Sequence, residues 1–161
     1  MKTLFLVRHA KAVREAPPLP DRERSLDDRG LDDATMMGKR LAKRGVKPDL
    51  LVSSPALRAL TTAQLIADGI GYARKDIVVD ERVYASSPDK LLAVIGELDD
   101  TLGVVMLVGH NPEFTELAHR LSSGITDMPT CAVAEFSFDA TAWADVEEAT
   151  PAKVKLDVPK N

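Results

Sequence analysis

Three short apolar runs in this sequence each end in residues suited to handling an anion. Leu4-Phe5-Leu6-Val7 leads into Arg8-His9-Ala10. Leu50-Leu51-Val52 leads through Ser53-Ser54-Pro55 to Arg58. The run from Val104 to Val108 ends in Gly109-His110-Asn111-Pro112. Taken singly, each has an ordinary explanation. A histidine at a strand end is usually a hydrogen-bonded structural group, a helical arginine is usually a solvated charge, and Gly-His-Asn-Pro makes a tight turn capping a helix. Together they point elsewhere. Neighbouring guanidinium groups repel, and a phosphate between Arg8 and Arg58 relieves that repulsion while accepting bidentate hydrogen bonds from both. Helix N-termini that follow such runs add free backbone N–H groups and a favourable dipole. The set reads as a phosphate pocket.

The elements that must position these residues are legible as an alternation. The three runs above lack polar alternation, as expected of strands covered on both faces, and Ile77-Val78-Val79 is a weaker fourth. Helical spacing appears at Leu31, Ala34, Met37 and Leu41, at Leu91, Val94, Ile95 and Leu98, and at Phe114, Leu117, Ala118 and Leu121. Ser54-Pro55, Ser87-Pro88 and Asn111-Pro112 each read as a capping side chain followed by proline at the first helical position. The earliest helix is expected to begin after Asp27 or Asp28 and to end at Gly45, with Pro48 as a stop signal. Residues 14 to 25 form a long connection of a kind that often carries function. Near the C-terminus, Ala132 to Phe138 is strand-like, Lys153 to Val158 reads as an edge strand, and the stretch around Trp143 is irregular. No internal repeat or low-complexity segment is visible. Repeated βα units predict an α/β fold, a three-layer α/β/α sandwich around a mostly parallel central sheet. In such sheets ligands bind beyond the carboxyl ends of the strands, where Arg8, His9, Arg58 and His110 fall.

Composition narrows the function classes. A chain of 161 residues is expected to form a single domain over 1–161. With 45% apolar and 29% charged residues, neither disorder nor a membrane protein is indicated. A net charge of -4 without a Lys/Arg-rich run argues against general nucleic-acid binding. The N-terminal apolar run is too short for a signal peptide, and no stretch approaches a membrane span, so a cytoplasmic protein is expected. The lone Cys131 has no disulfide partner and reads as a small buried apolar residue. A cysteine-based phosphatase is excluded, since the arginine it needs six residues after the nucleophile is Ser137 here. No P-loop is present.

The motifs resemble those of the histidine phosphatase superfamily, also called phosphoglycerate mutase-like, and within it the small SixA-type phosphohistidine phosphatases. The resemblance rests on Val7-Arg8-His9-Ala10, on Arg24-Ser25-Leu26 followed by Gly30, on Pro48 through Ala59 with Thr62-Ala63, and on Val108 through Pro112. It spans most of the chain. It implies a phosphoglycerate mutase-like fold, His9 as nucleophile, Arg8 and Arg58 on the phosphoryl oxygens, and His110 completing the pocket. Arg24 is implied as an additional phosphate or substrate contact. The family's usual Arg-His-Gly is Arg8-His9-Ala10 here, which puts the local backbone geometry in question.

The resemblance implies a two-step reaction through a phosphohistidine on His9. A nucleophilic imidazole must be neutral, which its reference pKa of about 6.5 and the adjacent arginines favour. No metal-ligand cluster is apparent and no cofactor is expected, His119 being read as a structural or surface residue. Glu81 lies in the region where the family carries an acid for the leaving group, though a solvated charge explains it equally well. A phosphohistidine substrate lessens the need for that acid. The short connections near the pocket leave a groove open to a protein side chain. The expected partner is therefore a phosphohistidine-bearing protein, with a small phosphorylated metabolite as the alternative, and the chain is expected to be a monomer. Two other readings share these residues: a metabolite phosphatase or phosphoglycerate mutase-like enzyme, and a non-catalytic phosphoprotein-binding module.

Overall fold

The computed structural model describes residues 1–14 and 19–159. The chain forms β1 (Lys2–Arg8), a 3-10 turn at Asp21–Glu23, α1 (Asp28–Lys43), β2 (Leu50–Ser53), α2 (Leu57–Ile70) and β3 (Val78–Val79). After a further 3-10 turn at Glu81–Val83 come α3 (Pro88–Gly96), β4 (Val104–Gly109), α4 (Glu113–Leu121), β5 (Val133–Phe138) and β6 (Lys153–Asp157). One six-stranded sheet runs in the order β3-β2-β4-β1-β5-β6. The first four of these are mutually parallel, and β5 and β6 join antiparallel. The sheet is mostly parallel, as the βα alternation requires.

Period-two alternation along β1 sorts the core into two layers. Leu4 and Leu6 face α3 and α4, whose Leu91, Ile95, Phe114 and Leu117 are fully buried against them. Phe5 and Val7 face α1 and α2, against Met37, Leu41, Ala63 and Ile66. The two helices on that second side approach closely because two glycines meet. A Cβ on Gly69 would lie 2.5 Å from the carbonyl carbon of Gly38, well inside contact distance. Trp143, in the irregular stretch before β6, is fully buried and donates its indole N–H to the Leu102 carbonyl at 2.9 Å. The outer strands are held to α1 by charge: Arg44 pairs with Glu135 on β5 and with Asp157 on β6, the latter at 3.3 Å, and Arg40 pairs with Asp157 at 2.6 Å.

Several local expectations need correction. The helix expected at Ser54-Pro55 begins at Leu57 instead, with no side-chain cap, because the Ser54 hydroxyl is engaged elsewhere. Asn111-Pro112 also precedes its helix by one residue: Pro112 occupies the capping position, while the Asn111 side-chain oxygen accepts from the Thr115 amide at 3.1 Å. Ser87-Pro88 behaves as expected, the serine accepting from the Lys90 amide. Asp27 caps α1 through the Gly30 amide at 2.7 Å. Leu31 is exposed, since the buried stripe of α1 runs through Gly30, Ala34, Met37, Gly38 and Leu41. Leu98 lies beyond the end of α3. In the 14–25 connection, residues 15–18 fall outside the described residues.

Candidate functional site

The parallel ladder brings the two histidines together. Arg8 on β1 is in register with Gly109 on β4, and the His9 amide donates to the Gly109 carbonyl at 2.9 Å. The next residue on each strand is a histidine, and the rings of His9 and His110 lie 5.2 Å apart between centroids. Gly109 is required by the packing behind them, since a Cβ there would sit 2.5 Å from the ring of buried Phe114. Ser53 and Val108 are paired in the neighbouring ladder, so the loop through Ser54 opens beside the same histidines. From this loop α2 brings Arg58 inward. Arg58 is the second residue of α2, on its first turn, and is only 7% exposed.

A hydrogen bond assigns the tautomer of the His9 ring. His9 is 9% exposed, and its Nδ1 lies 2.7 Å from the carbonyl of Ala10. A carbonyl only accepts, so Nδ1 carries the proton and Nε2 keeps its lone pair. The Ala10 amide in turn donates to Thr62 Oγ1 at 2.9 Å, and Thr62 donates to the Arg58 carbonyl at 2.8 Å. Thr62 thus ties the segment after β1 to α2. Ala10 is not among the described residues with left-handed backbone, so its methyl group brings no backbone strain where the family usually has glycine. His110 Nε2 lies 2.7 Å from Ser54 Oγ, which also accepts from the Ala56 amide at 3.2 Å. The hydroxyl keeps one proton and a second lone pair, so it pairs with Nε2 in either tautomer; in the one where Ser54 donates, a neutral His110 carries its proton on Nδ1.

Both rings are neutral across the physiological range. Burial, more than any other cause, brings His9 down to about 4; its hydrogen bond to Ala10 opposes this, and Arg58, Arg8 and Arg24 reinforce it. Burial likewise brings His110 down to about 3, with His9 and Arg58 adding to the effect. The result is an imidazole with a free lone pair beside a second neutral ring.

The arginines are held from behind. Arg8 donates through Nη1 to the Met128 carbonyl at 3.0 Å, and Asn111 donates to the same oxygen. Arg58 donates through Nη1 to the backbone carbonyl of Asp21 at 2.7 Å and through Nη2 to its carboxylate at 2.9 Å. That carboxylate oxygen also accepts from Tyr84 Oη at 2.6 Å, and Arg24 reaches the other oxygen at 3.2 Å. The Tyr84 hydroxyl above all, together with Arg58, holds the Asp21 carboxyl well below the usual carboxylate range, against the opposing effect of burial. Tyr84 stands edge-on to His110, with centroids 5.5 Å apart at 87°. Arg22 lies over the Tyr84 ring at 4.4 Å and pairs with Glu81 at 2.8 Å.

Four buried side-chain polar atoms lack a hydrogen-bond partner among the described residues: Arg8 Nε, Arg58 Nε, His110 Nδ1 and Ser86 Oγ. Three of them belong to the residues gathered around His9. Folded proteins leave few such atoms unpaired, since each costs about 1–3 kcal/mol. Two arginine Nε–H donors and the unpartnered His110 Nδ1, on residues gathered around His9, suit a tetrahedral oxyanion.

Arg8, His9, Arg58 and His110 are thus brought together. Arg24 stands one step back, its Nε on the Val13 carbonyl and its Nη1 on Asp21. Glu81 is exposed and engaged with Arg22 at the rim. Asp21, Ser54 and Tyr84 have site contacts that sequence reasoning did not foresee. Asp21 and Tyr84 come from irregular segments with no periodicity to mark them. Ser54 was visible but carried a competing reading as a helix cap. His119 lies away from this group, on α4, with Nδ1 at 2.9 Å from the Ile125 carbonyl. Among the described residues no group of three or more His, Cys, Asp or Glu side chains is placed to hold a metal ion, and no helix is long and apolar enough to cross a membrane. Cys131 is buried, and burial pushes its thiol up to about 12.

The model of the histidine phosphatase superfamily, branch 1, matches residues 4–84, from β1 through Arg58 to Tyr84. The chain belongs to the histidine phosphatase superfamily. An uncharacterised protein of Mycobacterium tuberculosis is 30% identical over 165 residues, covering 96% of this chain and all of that protein. Among solved structures, a protein from Nakamurella multipartitia assigned as the phosphohistidine phosphatase SixA superposes with a TM-score of 0.84 at 22% identity, covering 99% of this chain and 97% of that one. One from Agrobacterium tumefaciens with the same assignment gives 0.81 at 25% identity, covering 96% and 97%. The superfamily's fold is the α/β/α architecture seen here.

Proposed function

We propose that this histidine phosphatase superfamily member hydrolyses phosphohistidine on a protein, by way of a phosphohistidine intermediate at Nε2 of its own His9. The observation that carries the reading is one free imidazole lone pair on His9 among the buried, unpartnered nitrogens of Arg8, Arg58 and His110. His9 Nε2 attacks phosphorus in line, and the bond from phosphorus to the leaving imidazole breaks with its electron pair passing to that nitrogen. Arg8, Arg58 and His110 Nδ1–H hold the equatorial oxygens, where charge is concentrated in a loose phosphoryl-transfer transition state. Water then attacks the phosphorus on His9, releasing inorganic phosphate and restoring the lone pair. The hydrogen bond from Nδ1 to Ala10 persists through both steps and directs attack to Nε2. Arg24 lies close enough to contribute to the positive field at His9 and serves as an outer substrate contact.

Support for a protein substrate comes from the rim and from the relatives. Asp21, Tyr84 and Arg22 flank the site, through Arg58, His110 and the tyrosine ring respectively. An imidazole leaves readily once protonated, so the reaction does not depend on Glu81, which is committed to Arg22. The Agrobacterium and Nakamurella proteins carry the same assigned substrate class.

The test is a panel of phosphohistidine-bearing proteins and phosphorylated metabolites incubated with wild type and His9→Ala. Release of phosphate from phosphohistidine, abolished in a folded His9→Ala, is the expected result. Turnover confined to small phosphate esters would replace the substrate class with a metabolite. Undiminished turnover by His9→Ala would refute the mechanism.

A further inference from the structure

We infer that Asp21 is a positioning residue for the phosphate pocket, acting through Arg58 and braced by Tyr84; this rests on the reading of Arg58 as a phosphate ligand. A guanidinium has five N–H donors, forming one fork at its end, one fork on the Nε side, and a single Nη1 hydrogen on the opposite side. The carbonyl and carboxylate of Asp21 together occupy both Nη atoms, at 2.7 and 2.9 Å. Rotation of the group about its bond to the side chain is thereby blocked. What remains is Nε–H, buried and without a partner, and the Nη2 hydrogen on the same side. That side-on fork is a complete bidentate grip for two phosphoryl oxygens.

Tyr84 makes the arrangement stiffer than a lone ion pair. Its hydroxyl donates to the carboxylate oxygen that also receives Arg58 Nη2, while its ring stands against His110. Asp21 therefore links a donor from α2 to a donor at the end of β4 through a single carboxylate. The Asp21 side chain is about half exposed, so its contribution lies in this geometry rather than in a buried charge.

Two roles predict opposite signs for the same substitution. A carboxylate that merely competes with phosphate for Arg58 would, on becoming Asn, leave the pocket more positive and tighten anion binding. A positioning carboxylate, once lost, frees the guanidinium and weakens binding despite the gain in positive charge. The measurement is calorimetric binding of inorganic phosphate to wild type, Asp21→Asn, Tyr84→Phe and Arg58→Ala, with the double variant Asp21→Asn/Arg58→Ala closing a cycle. Thermal unfolding of each variant is recorded alongside.

Asp21→Asn is expected to bind phosphate about tenfold more weakly, the scale of one charge-assisted hydrogen bond. Tyr84→Phe is expected to weaken it about threefold in the same direction, as a partial loss of that bracing. In the Arg58→Ala background Asp21→Asn should have no further effect, which a purely structural role would not produce. Unchanged or tighter phosphate binding by Asp21→Asn, or additivity with Arg58→Ala, would overturn this inference while leaving the phosphatase reading intact. If Asp21→Asn fails to fold, unchanged phosphate affinity in Tyr84→Phe overturns it instead. Failure of the wild type itself to bind phosphate would overturn the pocket and the inference together.

Discussion

Ser54 shows how much the chemistry depends on where single protons sit. When its hydroxyl donates to His110 Nε2, the other ring nitrogen is left as the donor toward the pocket. Ser54→Ala removes that constraint, and His110 becomes free to place its proton on Nε2, where it cannot serve. The expected outcome is a fall in kcat/KM of about tenfold, less than complete loss of an oxyanion donor because the useful tautomer remains partly populated. Nitrogen-15 NMR of the ring checks the cause: a single Nδ1–H tautomer in wild type should become a mixture. The main residues here were legible in advance for a simple reason. Arg8, His9 and His110 follow strands whose apolar runs locate their ends, and Arg58 follows another. Asp21 and Tyr84 were not, because they belong to irregular segments, and what joins them to Arg58 is a tertiary contact that spacing does not encode. Glu81, read from sequence order either as the acid for the leaving group or as a solvated charge, is exposed and pairs with Arg22.

At the scale of elements, the helix faces follow steric rules that an apolar count only partly captures. The stripe of α1 was read through Leu31, but the face that reaches α2 is built on small residues, with Gly38 against Gly69. Ala34, Met37 and Leu41 lie on the buried face as the spacing indicated, but glycine has no hydrophobic signal, so Leu31 was read in place of Gly30 and Gly38 was missed. Gly69→Ala tests the consequence. The added methyl would meet the backbone of Gly38 at 2.5 Å, and backbone yields less easily than a side chain. Destabilisation of about 1–3 kcal/mol is expected, read as a lowered urea midpoint with an unchanged slope. Because α2 carries Arg58 and Thr62, phosphate affinity should fall in the same variant. An urea midpoint equal to that of wild type would show that the two helices can separate freely. The alternating βα order predicted the central parallel strands well, since each strand there is covered on both faces. The true starts of α2 and α4 lie later than expected: Ser54 Oγ is engaged with His110, and Asn111 accepts from the Thr115 amide in the first turn of α4 while Pro112 holds the capping position.

At the scale of the whole molecule, the buried histidines make folding sensitive to acid. Their pKa values fall from 6.5 to about 4 for His9 and about 3 for His110, chiefly through burial. Between pH 6.5 and about 4 the unfolded chain therefore binds more protons than the folded one, and stability rises with pH across that window. Above pH 6.5 both states hold the rings neutral and the effect vanishes. The carboxyls of Asp21, Asp68, Asp80 and Asp99, held low by hydrogen bonds and nearby cations, add a further loss once pH falls below their unfolded values. Urea midpoints measured at half-unit intervals should decline steadily from pH 6.5 toward 4, and a His9→Asn/His110→Asn variant should show a flatter line in that interval. Equal slopes for the two proteins would mean that the rings titrate normally in the folded state.

The pairing of Arg8 with Gly109 carries a consequence for inheritance. Neighbouring strands lie about 4.8 Å apart wherever a sheet forms, and the His9 and His110 rings stand at nearly that distance. The sheet acts as a ruler, and its unit is set by backbone hydrogen bonds that every amino acid except proline can make. Side chains elsewhere can therefore drift over long descent without changing the gap between the two imidazoles. What such drift cannot survive is a slip of one residue between β1 and β4, which would turn one histidine to the opposite face and end the partnership at a stroke.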